Sequence, residues 1–179
     1  MNRSNMRYYS GRGDDGKTSL YSGRTKKNDP IVEAIGQIDE LSSFIGSAFS
    51  KAIDNDVKNT LLEVEEKLYI INAELSGYLY HTKKKSGRLS ESDVKALEKS
   101  IDRYSASLPP VTRFLLPNGS SAATELNICR TVARRAERSL TGLKLENDTI
   151  YRYVNRLSSL LFVLFRYTNN LDDVKERFF

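Results

Sequence analysis

Residues 11 to 19 read GRGDDGKTS, and Gly11, Gly16, Lys17 and Thr18 satisfy the G-x-x-x-x-G-K-[ST] spacing of a phosphate-binding loop. That string grips phosphate when a buried strand precedes it and a helix starts at the Lys-Thr pair, so that backbone N–H groups and the positive helix end converge on the anion. Here MNRSNMRYYS precedes it, too polar for a buried strand, and SLYSGRTKKNDP follows it, with Gly23 and Pro30 and no helical apolar spacing. No later apolar run ends in an aspartate that could complete a P-loop Mg²⁺ site. The expectation is a Gly-rich loop with Lys17, Arg24, Lys26 and Lys27 nearby, suited to a polyphosphate on some other scaffold, against the alternative of a solvated basic tail. The Arg-Gly-Asp triplet at 12–14 is read as chance.

Three further groups of residues could do chemistry. Arg130, Arg134 and Glu137 fall at i, i+4 and i+7 and share one helix face, beside a stripe of Leu126, Cys129, Ala133, Ala136 and Leu140. That face is either a surface ion-pair ladder, worth roughly 0.2–0.5 kcal/mol per pair, or a ligand contact. Asn155 and Arg156 interrupt an otherwise apolar segment, where Asn155 either fixes packing or binds a ligand. Asp39 follows the apolar Ile38 and is either a solvated carboxylate or the partner of an arginine on another helix or another subunit. His81 is the only histidine and stands beside TKKKSGR, which excludes a histidine-based metal site or a Ser-His-Asp triad. The metal such a chain would use is Mg²⁺, held mainly by phosphate oxygens.

Composition narrows the class. The chain has 179 residues, expected as one domain over 1–179, with a net charge of +5 and a pI near 9.2. That charge favours an anionic partner, but no nucleic-acid module or arginine-rich tract with aromatics is present. No apolar run is long enough to span a bilayer, the N-terminus lacks a signal-peptide core, and the lone Cys129 fits a reducing compartment; a cytoplasmic, membrane-free protein is expected.

The elements that must position these residues are helical. Asp29 is a candidate N-cap before Pro30, and Ile31, Ala34, Ile38, Leu41, Ile45 and Ala48 follow three-four spacing. A second helix is expected over about 55–80, a third over 91–107 after the Ser90-x-x-Asp93 box, a fourth over 120–142 and a fifth over 148–170. PPVTRFLLPNGS cannot be helical, and no β-alternation of useful length is seen. The fold class is an all-α five-helix bundle over 29–170, preceded by a Gly-rich nucleotide-binding loop segment over 1–28.

Taken together, these stretches resemble the PduO-type ATP:cob(I)alamin adenosyltransferases. SGRGDDGKTSL and KNDPIVEAIGQIDELSSFIG match the family's N-terminal pattern, RTVARRAER (130–138) its arginine helix, YVNRLSSLLFVLFRY (153–167) its last helix, and FLLPNGS (114–120) its Pro-bounded turn. Ser10, Asn28 and Ser159 depart from the usual Thr, Asp and Asp. The order is right and the matches cover nearly the whole chain.

The resemblance implies transfer of the 5′-deoxyadenosyl group of ATP, with Mg²⁺, to the Co(I) of a reduced corrinoid. It implies that Ser10, Gly11, Gly13, Asp14, Gly16, Lys17 and Thr18 line the triphosphate loop and that Lys27 adds charge. It places Arg130, Arg134 and Asn155 on ATP, with Glu137 orienting Arg134 or the nucleotide, and Asp39 in a salt bridge with Arg130 across a homotrimer boundary. Phe114 is implied to face the lower side of cobalamin and exclude its axial ligand, and a transient reductase to supply Co(I). A non-catalytic nucleotide-binding bundle and a basic RNA-binding module are the competing classes.

Overall fold

The computed structural model describes residues 8–81 and 87–179. The charged segment at 82–86, expected as a loop, and the polar stretch 1–7 ahead of the Gly-rich string lie outside the described residues.

Five long helices form the body: α1 (Pro30–Lys51), α2 (Asn55–Leu75), α4 (Glu91–Ser105), α5 (Ser121–Leu140) and α6 (Thr149–Leu171), with a one-turn α3 (Tyr78–His81) after α2. They pack in the spatial order α2–α1–α5–α6–α4. The three-four stripes of α1 and α5 read from the sequence lie on the buried face, with Ile31 at the start of α1 only partly covered. Ile38, Leu41 and Ile45 of α1 meet Leu61, Leu68 and Ile71 of α2, while Leu126, Cys129, Ala133 and Ala136 of α5 meet Val154, Leu157, Leu161 and Phe165 of α6 in one core. Burying each large aliphatic side chain contributes about 1.5–3 kcal/mol. α1 and α5 run antiparallel, since Arg135 bonds Gln37 and pairs with Glu40 near one end and Glu125 pairs with Lys51 near the other.

The helix starts are set by the expected caps. Asp29 Oδ1 accepts the Ile31 N–H at 3.0 Å ahead of α1, and Asp93 Oδ2 accepts the Ser90 N–H at 2.8 Å ahead of α4.

Two details differ from the sequence reading. α2 stops at Leu75 rather than near 80, because Gly77 takes φ +83°, which ends a right-handed helix. A Cβ at Gly77 would stand 3.1 Å from the Ser22 nitrogen, and the Ser22 N–H donates to the Ser76 carbonyl at 3.2 Å, so the glycine also lets the N-terminal segment dock. That segment is an antiparallel hairpin, β1 (Lys17–Leu20) and β2 (Gly23–Lys26), where no strand was expected. Its four-residue strands are mostly exposed, so no apolar alternation marks them.

Candidate active site

The Gly-rich string folds as a chain of tight turns running into the hairpin. Gly11 (φ +69°) and Gly16 (φ +77°) supply the left-handed positions, with Asp14 N–H donating to Gly11 O and Gly16 N–H to Gly13 O, both at 3.2 Å. Just after the far strand, the Lys27 N–H closes the loop by donating to Gly16 O at 2.9 Å. Gly13 lies against the Lys27 side chain, since a Cβ there would stand 3.1 Å from Nζ. Ser10 accepts the Arg12 N–H at 3.4 Å, and Thr18 pairs in register with Thr25. Thus Ser10, Gly11, Gly13, Asp14 and Gly16 lie in the turns, Lys17 and Thr18 open β1, and Lys27 closes on the turns just after β2. No helix begins at Thr18, so the ordinary P-loop arrangement is absent here, as its sequence context implied.

A pair unforeseen in the sequence braces this loop. Arg24 Nη2 donates to both carboxylate oxygens of Asp15, at 2.9 and 2.8 Å, and to the Arg12 carbonyl at 2.9 Å. Desolvation pushes the Asp15 carboxyl up, but the Arg24 hydrogen bond, the Lys17 N–H and the Arg24 charge together hold it below its usual value. Arg24, grouped by sequence with the cations for polyphosphate, therefore has its charge largely matched. Beside the pair opens a cleft of about 400 Å³ lined by Lys17, Arg24, Thr25, Lys26, Asn28 and Asp29.

The second part lies on α5 and α6. Arg130 is half-buried, and its Nε donates to Asn127 Oδ1 at 2.9 Å, a neutral partner. Burial first, and the Arg134 charge second, lower the pKa of its guanidinium. Arg134 is exposed and has no hydrogen-bond or ion-pair partner among the described residues. Two like charges one turn apart without a carboxylate are an arrangement that an anion relieves. Glu137 does not turn to Arg134. It accepts Asn155 Nδ2 at 2.6 Å, and Asn155 Oδ1 accepts Arg156 Nη1 at 3.0 Å, whose Nε reaches Glu98 at 3.0 Å. Asn155 is thus held with its carboxamide oriented on the exposed face of α6.

Asp39 is exposed, and within one chain it does not meet Arg130; the neighbouring Glu40 pairs with Arg135 instead. Phe114, 85% exposed, stands on the irregular segment before α5, where Leu115 bridges Phe178. Among the described residues no hydrogen bond or ion pair joins the N-terminal loop to Arg130, Arg134, Glu137 or Asn155 within one chain. Burial pushes the Cys129 thiol up to about 12, so it offers no thiolate nucleophile at neutral pH. No helix of the described residues is long and apolar enough to cross a membrane.

Residues 8–168 match the family model described as Cobalamin adenosyltransferase, and the chain belongs to that family. It is 40% identical to a corrinoid adenosyltransferase of Bacillus subtilis over 171 residues, which covers 92% of this chain and 87% of that protein. A solved structure of a phenylalanine-to-alanine variant of a PduO-type ATP:corrinoid adenosyltransferase from Lactobacillus reuteri, complexed with cobalamin and ATP, superimposes with a TM-score of 0.88 at 30% identity. It covers 97% of this chain and 99% of that one. An arginine-to-lysine variant from the same organism, complexed with ATP, gives 0.85 at 32% identity over 96% and 99% of the two chains. The class defined by fold and sequence is therefore an all-α adenosyltransferase of the cobalamin type.

Proposed function

We propose that this chain is an ATP:cob(I)alamin adenosyltransferase. The electron pair of Co(I) forms a bond to C5′ of ATP, the C5′–O bond breaks, and its electrons leave with inorganic triphosphate; cobalt goes from Co(I) to Co(III). The observation that carries the reading is the pair Arg130 and Arg134, uncompensated by any carboxylate among the described residues on a face where Asn155 and Glu137 stand ready to orient a nucleotide.

Cob(I)alamin is itself the nucleophile, so the protein's work is alignment and charge stabilisation. Arg130 and Arg134 take up charge developing on the triphosphate, Asn155 holds the nucleotide with its carboxamide fixed by Glu137, and the loop from Ser10 to Thr18 with Lys27 wraps the phosphates. Phe114 faces the lower side of the corrin and keeps the axial ligand away, which makes Co(II) easier to reduce. Among the described residues no group of three or more His, Cys, Asp or Glu is gathered, and the loop carries Lys17 with Lys27 against it. That donor set suits Mg²⁺ already wrapped in triphosphate oxygens, where it neutralises phosphate charge.

No hydrogen bond or ion pair among the described residues joins the loop to the arginine face within one chain, which supports a site shared by neighbouring subunits of a homotrimer, closed by Asp39 of one against Arg130 of the next. A cytoplasmic location and a transient reductase partner complete the reading. Saturating Mg²⁺-ATP, at about 100 times its Kd, should raise Tm by about 5–10 °C, and GTP should raise it less. Equal stabilisation by ATP and heparin would reduce the cationic face to nonspecific anion binding.

A further inference from the structure

The segment that carries Phe114 is held from three directions, and all of them lead to the C-terminal end of α6. Arg166 is only 6% exposed; its Nε donates to Glu176 Oε1 at 2.5 Å, and its Nη2 donates to Glu176 Oε2 at 3.0 Å and to the Pro109 carbonyl at 2.8 Å. One guanidinium thereby joins the root of the Phe114 segment to the C-terminal residues. Asn169, 1% exposed, fastens the other root: Oδ1 accepts the Ser120 N–H at 3.0 Å and Nδ2 donates to the Asn118 carbonyl at 3.2 Å. Gly119 makes that approach possible, since a Cβ there would lie 1.9 Å from Asn169 Oδ1. Between the roots, the C-terminal residues pair with the segment itself. The Phe179 N–H donates to the Phe114 carbonyl at 2.9 Å and the Leu116 N–H to the Arg177 carbonyl at 2.8 Å, while the Arg113 guanidinium lies 4.9 Å from the Phe178 ring centroid.

A deeply buried ion pair is a costly way to fasten a tail, because its desolvation offsets much of its attraction. Phe114 supplies a reason for it. An aromatic side chain 85% exposed on irregular backbone has no core to fix its place, so its position depends on the backbone beneath it.

We propose that Arg166, Asn169 and the C-terminal segment 174–179 are positioning elements that hold Phe114 in place against the corrinoid without touching the reacting atoms. The inference rests on the proposed function, in which Phe114 faces the corrin. Preorganising the ring spares the ordering cost at the moment of corrinoid binding, so the device acts on the corrinoid half of the reaction and leaves the ATP half alone.

The double substitution Arg166→Met with Glu176→Leu removes the pair without stranding a buried charge. A chain ending at Arg177 keeps the pair and removes the pairing to Phe114. Amide exchange at Leu116 should rise about tenfold in the double variant. With a one-electron reductant supplied to take Co(II) to Co(I), both variants should keep the ATP KM within about twofold and lose about tenfold in conversion from a Co(II) corrinoid that carries a lower base, with little loss on one that lacks it. Unchanged exchange at Leu116 overturns the clamp, whatever the wild-type protein does with ATP. Unchanged conversion in both variants, while Phe114→Ala is impaired, overturns the positioning role. Equal loss on both corrinoids, or loss of ATP affinity, reduces the clamp to ordinary stability. If Phe114→Ala itself converts the base-bearing corrinoid normally, the corrin-facing reading of Phe114 fails, and the inference with it.

Discussion

Arg134 projects from the middle of α5 one turn from Arg130, and the described residues give neither a carboxylate. A planar guanidinium there can grip phosphate oxygens through two parallel N–H bonds, whereas a lysine offers one mobile point charge. Arg134→Lys should therefore lose tenfold or more in kcat/KM for ATP, about 1.4 kcal/mol of transition-state stabilisation, with unchanged circular dichroism. A wild-type value would return this face to the solvated surface, where exposed charges contribute only about 0–1 kcal/mol. At the same scale, the i, i+4, i+7 spacing of Arg130, Arg134 and Glu137 was legible as a shared face, because helical periodicity fixes it. That Glu137 turns to Asn155 was not, because the bond crosses between two helices. The Asp15–Arg24 brace was hidden for a similar reason: only the unforeseen hairpin folds residue 24 back over residue 15.

Among the elements, α1 and α5 are joined near their far ends by Lys51 and Glu125, the latter with its side chain only 10% exposed. The Lys51 hydrogen bond, aided by Ser47 and the Lys51 charge and opposed by desolvation, holds the Glu125 carboxyl below its ordinary 4.5. The folded state thus binds fewer protons at this group than the unfolded state. Its stabilisation is complete above about pH 4.5 and is lost as pH falls through the lowered value. Because Lys51 is 41% exposed, the pair is worth about 1 kcal/mol at most. Urea unfolding should show wild type more stable than Glu125→Gln at pH 7, with the gap narrowing as pH falls below about 4.5. A gap that stays constant with pH would remove the pair as a stabilising link.

Element boundaries were readable where a local signal sets them. Asp29 with Pro30, and Ser90 with Asp93, opened α1 and α4 as their side chains implied. The early end of α2 was written in Gly77, yet a glycine declares a left-handed turn only once its neighbour is known, here the docked Ser22. Arg166 drew no notice in the sequence, where Asn155 and Arg156 were the polar interruptions of this apolar helix. Its partners Glu176 and Pro109 lie beyond any helical period, so nothing in the spacing exposed the clamp.

At the scale of the whole molecule, no hydrogen bond or ion pair among the described residues links the Gly-rich loop to the Arg130 and Arg134 face within one chain, and Asp39 is left exposed. Sedimentation should give a mass three times the 20.3 kDa of one chain, and Asp39→Ala should weaken ATP turnover far more than it weakens folding of the separate bundle. A fully active monomer would remove the shared site and the role of Asp39 together.

The most direct measurement is anaerobic incubation of the wild-type protein with Mg²⁺-ATP and chemically reduced cobalamin, following the corrinoid absorption and the phosphate products together. The account predicts conversion of cob(I)alamin to adenosylcobalamin with one inorganic triphosphate released for each adenosyl group transferred. An unchanged Co(I) spectrum, or ATP consumed to ADP or AMP without a cobalt–carbon bond, would contradict it.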